Sequence, residues 1–200
     1  AFTAITELWC HNNQLTNIDL SQNTALTNLL CDSNQLISLD VSNNTALTDL
    51  QCQDNQLSSL NLSGATALTT LRCWNNNQLT TLDVSNNTAL TTLYCYNNNL
   101  TSLDVSDNTA LTTLHCKNNN LTSLDVRNGN NTNIIFFKCE SNPNLYCINV
   151  DDPTWSTSNW TIIDPQHYFS NNCSGTAIQN NQPLFYIYDD GTVEKRIVIE

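Results

Sequence analysis

Basic residues, glycine and methionine are scarce in this chain. Its 200 residues carry six Lys and Arg against 18 Asp and Glu, a net charge of −12. Nucleic-acid binding needs a basic stripe to displace counterions from phosphate, and an anionic membrane surface makes the same demand, so this composition argues against both. With four glycines there is no glycine-rich phosphate loop, and neither G-x-S-x-G nor H-E-x-x-H occurs. No apolar run reaches the roughly 18 residues of a spanning helix, so no membrane insertion is expected. Charged residues make up 12%, about half the soluble average, and Asn, Thr and Leu fill the difference. The length suffices for one domain with a sizeable core and requires no second.

What the chain has is repetition. Leu68-Thr-Thr-Leu71-Arg72-Cys73-Trp74, Leu90-Thr-Thr-Leu93-Tyr94-Cys95-Tyr96 and Leu111-Thr-Thr-Leu114-His115-Cys116-Lys117 are one pattern written three times. Seven of nine cysteines hold one place in it: Cys10, Cys31, Cys52 and Cys73 at intervals of 21, then Cys95 after 22, Cys116 after 21 and Cys139 after 23. The additional residues fall in Trp74-Asn75-Asn76-Asn77-Gln78 and Asn128-Gly129-Asn130-Asn131. Each copy nests two halves, Leu47-x-x-Leu50-x-Cys52 and Leu57-x-x-Leu60-x-Leu62, giving two extended segments and two corners per turn. Neither half has room for about ten helical residues, and Thr, Val and Asn favour strand and turn. Phe2-Thr3-Ala4-Ile5 takes the place of Asn-Thr-Ala-Leu in other copies, so the chain is expected to begin inside a repeat.

Leu26/Leu29/Cys31/Asn34/Leu36, Leu47/Leu50/Cys52/Asn55/Leu57 and Leu111/Leu114/Cys116/Asn119/Leu121 share the frame L-x-x-L-x-C-x-x-N-x-L, which resembles leucine-rich repeats. The second half, Leu-x-x-Leu-Asp-Val-Ser-x-Asn, is similar to the short bacterial 21-residue class. The resemblance spans residues 5 to about 150. It implies a right-handed solenoid, mainly β with little or no α-helix, with a parallel sheet on one face and extended segments on the other. Residues 1–150 would form the array, 145–175 a C-terminal cap, and 176–200 a β-hairpin tail or linker. The stretch from Asn142 through Tyr146-Cys147 to Cys173 resembles the segment closing such arrays in secreted bacterial proteins. A terminal turn must hide the last apolar face, so Trp155 and Trp160 are assigned to the cap core. Cys147 and Cys173 lie outside the cysteine column and flank the cap; a disulfide between them is expected, which would place the protein in an oxidising, extracytoplasmic setting. Leu184–Tyr188 and Val193–Ile199, around Asp189-Asp190-Gly191, read as the hairpin.

Alternate side chains of a strand face opposite ways, so Leu50 and Cys52 are expected inside and Asp49, Gln51 and Gln53 outside. The cysteines then stack as a buried apolar column, because a free Cys packs as a small hydrophobe. A line of thiols lacks the clustered geometry of a zinc site. Asn13, Asn34, Asn55, Asn98 and Asn119 stand at the corner leaving the first strand, where an amide can bond backbone groups of its own and the adjacent turn. Asp19, Asp40, Asp83, Asp104 and Asp125 form another column with Asn61 in register. Carboxylates stacked at about 4.8 Å repel, so they need donors such as Ser42, Ser85 and backbone N–H groups. One carboxylate per turn is sparse for calcium, and no metal or cofactor is expected.

The outward positions beside each cysteine vary: Trp9 and His11, Leu30 and Asp32, Gln51 and Gln53, Arg72 and Trp74, Tyr94 and Tyr96, His115 and Lys117, Lys138 and Glu140. A frame that holds its apolar positions while changing these is a scaffold presenting a surface. The candidate ligand-binding residues are Arg72, Trp74, Tyr94, Tyr96, His115 and Lys117, an aromatic platform flanked by bases. The expected function is non-catalytic recognition of an extracellular protein at the cell surface, or of an anionic polysaccharide on the same face. A passive spacer or adhesin stalk is the third reading. A polysaccharide-cleaving solenoid using Asp32, Asp49 and Asp54 with Arg72 or Lys117 is the weakest. An uncapped first turn would also expose a strand edge able to support end-to-end self-association.

Overall fold

The computed structural model describes residues 5–173 together with strand residues 184–187 and 193–196. Seven strands, one per copy, form a parallel sheet: Glu7–Trp9, Asn28–Leu30, Asp49–Gln51, Thr70–Arg72, Thr92–Tyr94, Thr113–His115 and Phe136–Lys138. Each is three residues long because a left-handed residue and a corner Asn follow the cysteine and turn the chain away. The register is strict, running Leu29↔Leu50↔Leu71↔Leu93↔Leu114 inside. Outside, Trp9↔Leu30↔Gln51↔Arg72↔Tyr94↔His115↔Lys138 line up as one column.

The second face is more ordered than bare extended segments. Ser38–Asp40 pairs with Ser59–Asn61, and Ser102–Asp104, Ser123–Asp125, Cys147–Asn149 and Tyr168–Ser170 form a four-stranded parallel sheet. Between these two sheets lies the copy lengthened by Asn77-Gln78. There Asn98 Oδ1 accepts from Asn76 N at 2.8 Å, where the equivalent amide one turn later bonds Leu100 N. The displaced segment 80–83 is not a strand, although Leu82 and Val84 still fill the core.

Leucine, valine and cysteine columns make a continuous core, with every cysteine from Cys31 to Cys139 fully buried. Burial pushes the Cys73 thiol up to about 12. Burial first, then the neighbouring thiols, also raises Cys52 and Cys95. The column is therefore neutral and packs as hydrocarbon would.

Short corners leave backbone groups that cannot reach a strand partner, and asparagine supplies them. Asn55 Nδ2 donates to the carbonyls of Cys31, Cys52 and Gln53 at 3.1–3.2 Å, and its Oδ1 accepts from Leu36 N at 2.9 Å. Asn34, Asn76, Asn98, Asn119 and Asn142 repeat this arrangement. Asn13 is exposed and, among the described residues, bonds only the Cys10 and His11 carbonyls. The opposite corner has a ladder the sequence reading did not assign: Asn44, Asn87 and Asn108 are fully buried and donate to carbonyls of the preceding turn. Where that ladder has Ala65, the neighbouring Gly64 lies so close to the previous turn that an added Cβ would sit 1.8 Å from the Ser42 carbonyl oxygen.

The aspartate column is held locally. Asp19, Asp40, Asp83 and Asp104 each accept from the N–H two residues on, at 2.8–3.0 Å, as Asn61 does without a charge at 3.2 Å. Hydrogen bonds from Ser42 and Ser85 hold the Asp40 and Asp83 carboxyls below the usual range.

At the C-terminal end Phe137 replaces the strand leucine and Trp160 stacks on it at 4.1 Å. Trp160 Nε1 donates to Ile134 O at 3.0 Å, and Trp155 packs edge-on against Trp160. Both tryptophans thus serve the cap. A seven-residue helix, Pro153–Asn159, starts on Asp152, whose side chain caps Thr154 N and Trp155 N with Pro at the first position. Cys147 and Cys173 are joined by a disulfide. Leu184–Ile187 and Val193–Arg196 pair antiparallel; their connecting residues, like those before Ile5, lie outside the described part. Among the described residues no helix is long and apolar enough to cross a membrane.

Asn55→Ala would strand the Leu36 N–H and three carbonyls, and is expected to cost about 2–3 kcal/mol, read by urea unfolding. A loss below that of an exposed Asn13→Ala control would refute the ladder's role. Asp40 and Asp83 have folded pKa values below their unfolded ones, so their stabilisation is present above the ordinary carboxylate range and lost as pH falls through the folded values. The Asp40→Asn, Asp83→Asn variant is expected to unfold at lower pH than the parent; an unchanged acid midpoint would count against these turns.

Candidate functional site

The outward side of the seven-stranded sheet carries the candidate residues, and the middle turns bring them together. Trp74 and Tyr96, in register after their cysteines, stack with ring centroids 5.1 Å apart and planes 8° from parallel. Tyr96 stacks in turn on His115 at 4.4 Å. Tyr94 meets Trp74 and His115 edge-on, both at 6.0 Å. Phe136, which the sequence reading missed, closes the cluster at 5.9 Å from His115 and 6.4 Å from Tyr94. Its signal was present: three residues before Cys139 it occupies the position of Thr113, obscured by the two-residue lengthening of that copy.

The bases flanking the platform are engaged within the face. Arg72 pairs with Asp49 of the previous turn at 3.1 Å, and Lys117 pairs with Glu140 of the next at 3.1 Å. Lys138 lies over the Phe136 ring at 5.0 Å. Two of the three Lys and Arg side chains on this face are thus ion-paired within it, and such partly exposed pairs contribute less than about 1 kcal/mol each. Asp54 accepts from Asn75 at 2.6 Å and Asp32 from the Ser33 hydroxyl at 3.3 Å. Among the described residues no three His, Cys, Asp or Glu side chains gather where one metal ion could sit. Gln53, expected outside, is 7% exposed, and its Oε1 has no partner among the described residues.

His115 is the titratable centre of the cluster. Burial, then Lys138 and Lys117, lowers its pKa against an opposing pull from Glu140. The face therefore holds a neutral imidazole at pH 7, suited to stacking between Tyr96 and the edge of Tyr94.

No family model and no curated protein sequence matches the chain. Solved structures do. The functional domain of InlJ from Listeria monocytogenes, described as including a cysteine ladder, is 41% identical over 74% of this chain and 35% of its own, with TM-score 0.66. A leucine-rich-repeat protein from Leptospira interrogans is 21% identical over 72% of this chain and 42% of its own, TM-score 0.57. Internalin InlF from L. monocytogenes is 21% identical over 86% and 49%, TM-score 0.58. The chain is a leucine-rich-repeat protein.

It spans between about a third and a half of the length of these structures. The likeness to InlJ includes the unusual element, since six successive buried cysteines occupy one inward column here. The two neighbours at 21% identity support the fold alone. In this leucine-rich-repeat array the outward columns are what the shared frame leaves unspecified.

Because the fold disfavours the protonated form of His115, its stabilisation is present above the ordinary histidine pKa and lost as pH falls through the lowered value. Its ring is expected to titrate below about 6.5 when followed by NMR of the Cε1–H signal. A midpoint at or above that of a free histidine would show that the ring is not packed as described.

Proposed function

We propose that this leucine-rich-repeat array is a non-catalytic extracellular recognition module that binds a protein partner through the outward face of its seven-stranded sheet. The observation that carries the proposal is the cluster of Trp74, Tyr94, Tyr96, His115 and Phe136 on consecutive turns. Fixed frame positions surround it, and nothing in the frame's own packing calls for aromatic side chains there. Trp, Tyr and Arg are enriched at protein-binding hot spots, and rings fixed by their neighbours lose little entropy on binding.

Protein is favoured over polysaccharide on this face by the stacking itself. A sugar needs a free ring face, and Tyr96 has one face against Trp74 and the other against His115. What the cluster offers outward is chiefly ring edges and the polar tips of tyrosine and tryptophan, which suit a protein surface. Arg72 and Lys117, paired within the face, would orient a mixed-charge partner rather than capture a polyanion. The cap disulfide supports an extracytoplasmic, cell-surface or secreted setting.

The test is a pull-down from a surface proteome run beside a glycan array, with the parent, the Trp74→Ala, Tyr94→Ala variant, and a Ser102→Ala control on the opposite sheet. A protein captured by parent and control, but at least about tenfold more weakly by a folded double variant, is the expected result. Glycan binding lost in that variant would replace protein with polysaccharide. Partner binding unaffected by the double variant would refute the site, and no specific ligand in any arm would leave the spacer reading.

A further inference from the structure

One residue per turn, two beyond the cysteine, takes a left-handed backbone: φ is 54° at Asn75 and Asn97, 51° at Asn118 and 62° at Ser141. Where consecutive turns have Asn there, the side-chain amides join turn to turn. Asn97 Nδ2 donates to Asn75 Oδ1 at 2.8 Å and Asn118 Nδ2 to Asn97 Oδ1 at 2.9 Å. The direction of this line is set at its start, where Asn75 Nδ2 donates to Asp54 Oδ1. An ionised carboxylate only accepts, so each following amide turns its nitrogen towards Asp54 and its oxygen away. A second line runs the same way, Asn99 Nδ2 donating to Asn77 O and Asn120 Nδ2 to Asn99 Oδ1.

Both lines stop at the same turn. The next positions are Ser141 and Pro143, and among the described residues no protein donor reaches Asn118 Oδ1 or Asn120 Oδ1, both on exposed side chains that face solvent. The two residues line an open cleft of about 660 Å³, completed by Ser141, Tyr146, Asp164 and Gln166. Tyr146 is 41% exposed and its ring stacks on no other among the described residues. Asp164 is already engaged: its oxygens accept from Ser141 N at 2.8 Å and Asn142 N at 2.7 Å, with His167 Nε2 at 3.5 Å. Gln166 Nε2 donates to Asn142 O at 3.3 Å, leaving its Oε1 as a third neutral acceptor. Among the described residues no Lys or Arg lines the cleft.

We propose that this cleft binds a neutral saccharide, whose hydroxyls donate to Asn118 Oδ1, Asn120 Oδ1 and Gln166 Oε1 while a sugar face covers Tyr146. A site with several solvent-facing uncharged acceptors, no cation and one free aromatic face selects a ligand rich in donors and without charge. An anionic sugar meets Asp164 with no compensating base. A cation finds that carboxylate already satisfied. The cleft lies on a corner of the solenoid, and the proposal does not rest on the reading of the sheet face.

Binding of cellobiose, lactose, maltose and chitobiose to the whole chain would be measured by saturation-transfer NMR and calorimetry. At least one is expected to bind the parent and to weaken about tenfold or more in Tyr146→Ala. Ser141→Asn is the sharper variant. Asn tolerates the left-handed backbone there, and its amide would donate to Asn118 Oδ1, lengthening the line by one rung. Its melting temperature should hold or rise while sugar affinity falls about tenfold. Trp74→Ala should leave the affinity unchanged. Absence of binding by all four sugars overturns the proposal. So does binding that survives both cleft variants, or binding lost in Trp74→Ala and retained in Tyr146→Ala.

Discussion

The hydrogen bonds from buried asparagine side chains to corner carbonyls are the interaction on which the rest depends. Three-residue strands joined by tight corners leave many backbone groups without strand partners, and each buried orphan would cost on the order of 1–3 kcal/mol. Asn55 alone serves three carbonyls and one N–H. Two of those four contacts reach the preceding turn, so the same side chain that closes one corner also fixes its distance to the neighbour. That fixed distance is what lets leucines and cysteines meet like with like in the core. Where the opposite ladder lacks its amide, at Ala65, the backbone of the adjoining Gly64 closes to a spacing no side chain would fit.

A frame whose corners are held from within by these amides releases the outward positions from structural duty. The aspartate column shows one use of that freedom, since each carboxylate is held by the turn that follows it and Asn61 performs the same task uncharged. The sheet face shows another. From Arg72 to Phe136 its columns hold aromatic groups that touch across turns, and two ion pairs, Arg72–Asp49 and Lys117–Glu140, link neighbouring strands. The cluster is thereby rigid before any partner arrives, and rigidity removes part of the entropic cost that flexible surface side chains impose on binding.

The repeating half of this architecture was legible because each inward column uses one residue type, so period alone exposes it. Leu29, Cys31, Asn34 and their counterparts could be placed, and their inward direction read, from spacing. The cap tryptophans were legible too, because the last apolar face needs a cover. The remainder depends on distances between turns, which spacing does not carry. Asn44, Asn87 and Asn108 look like any loop asparagine until a neighbouring turn lies beneath them. Phe136 was hidden by an insertion that displaced its copy from the count. Gln53 obeys strand alternation yet is covered by its neighbours, and the pairing of Arg72 with Asp49 requires two strands side by side at a known stagger.

Stacking also gives the array a polarity that a periodic sequence conceals. A hydrogen-bonded amide has a donor end and an acceptor end, so a line of them is directional, and a single acceptor-only residue suffices to orient it. Asp54 does this for one exposed line and the Asn77 carbonyl for the other: with an acceptor at one end, the last amide oxygen of each line falls at the other. The buried ladder of Asn55 and its counterparts does not behave so, because those amides are used by backbone groups on both their donor and acceptor sides, whereas Asn44, Asn87 and Asn108 each keep a buried Oδ1 without a partner among the described residues. An exposed line instead transfers its unsatisfied group to whichever turn breaks the pattern. Here Ser141 and Pro143 break it beside Tyr146, and two residues unremarkable in themselves decide where on the solenoid a set of solvent-facing acceptors appears.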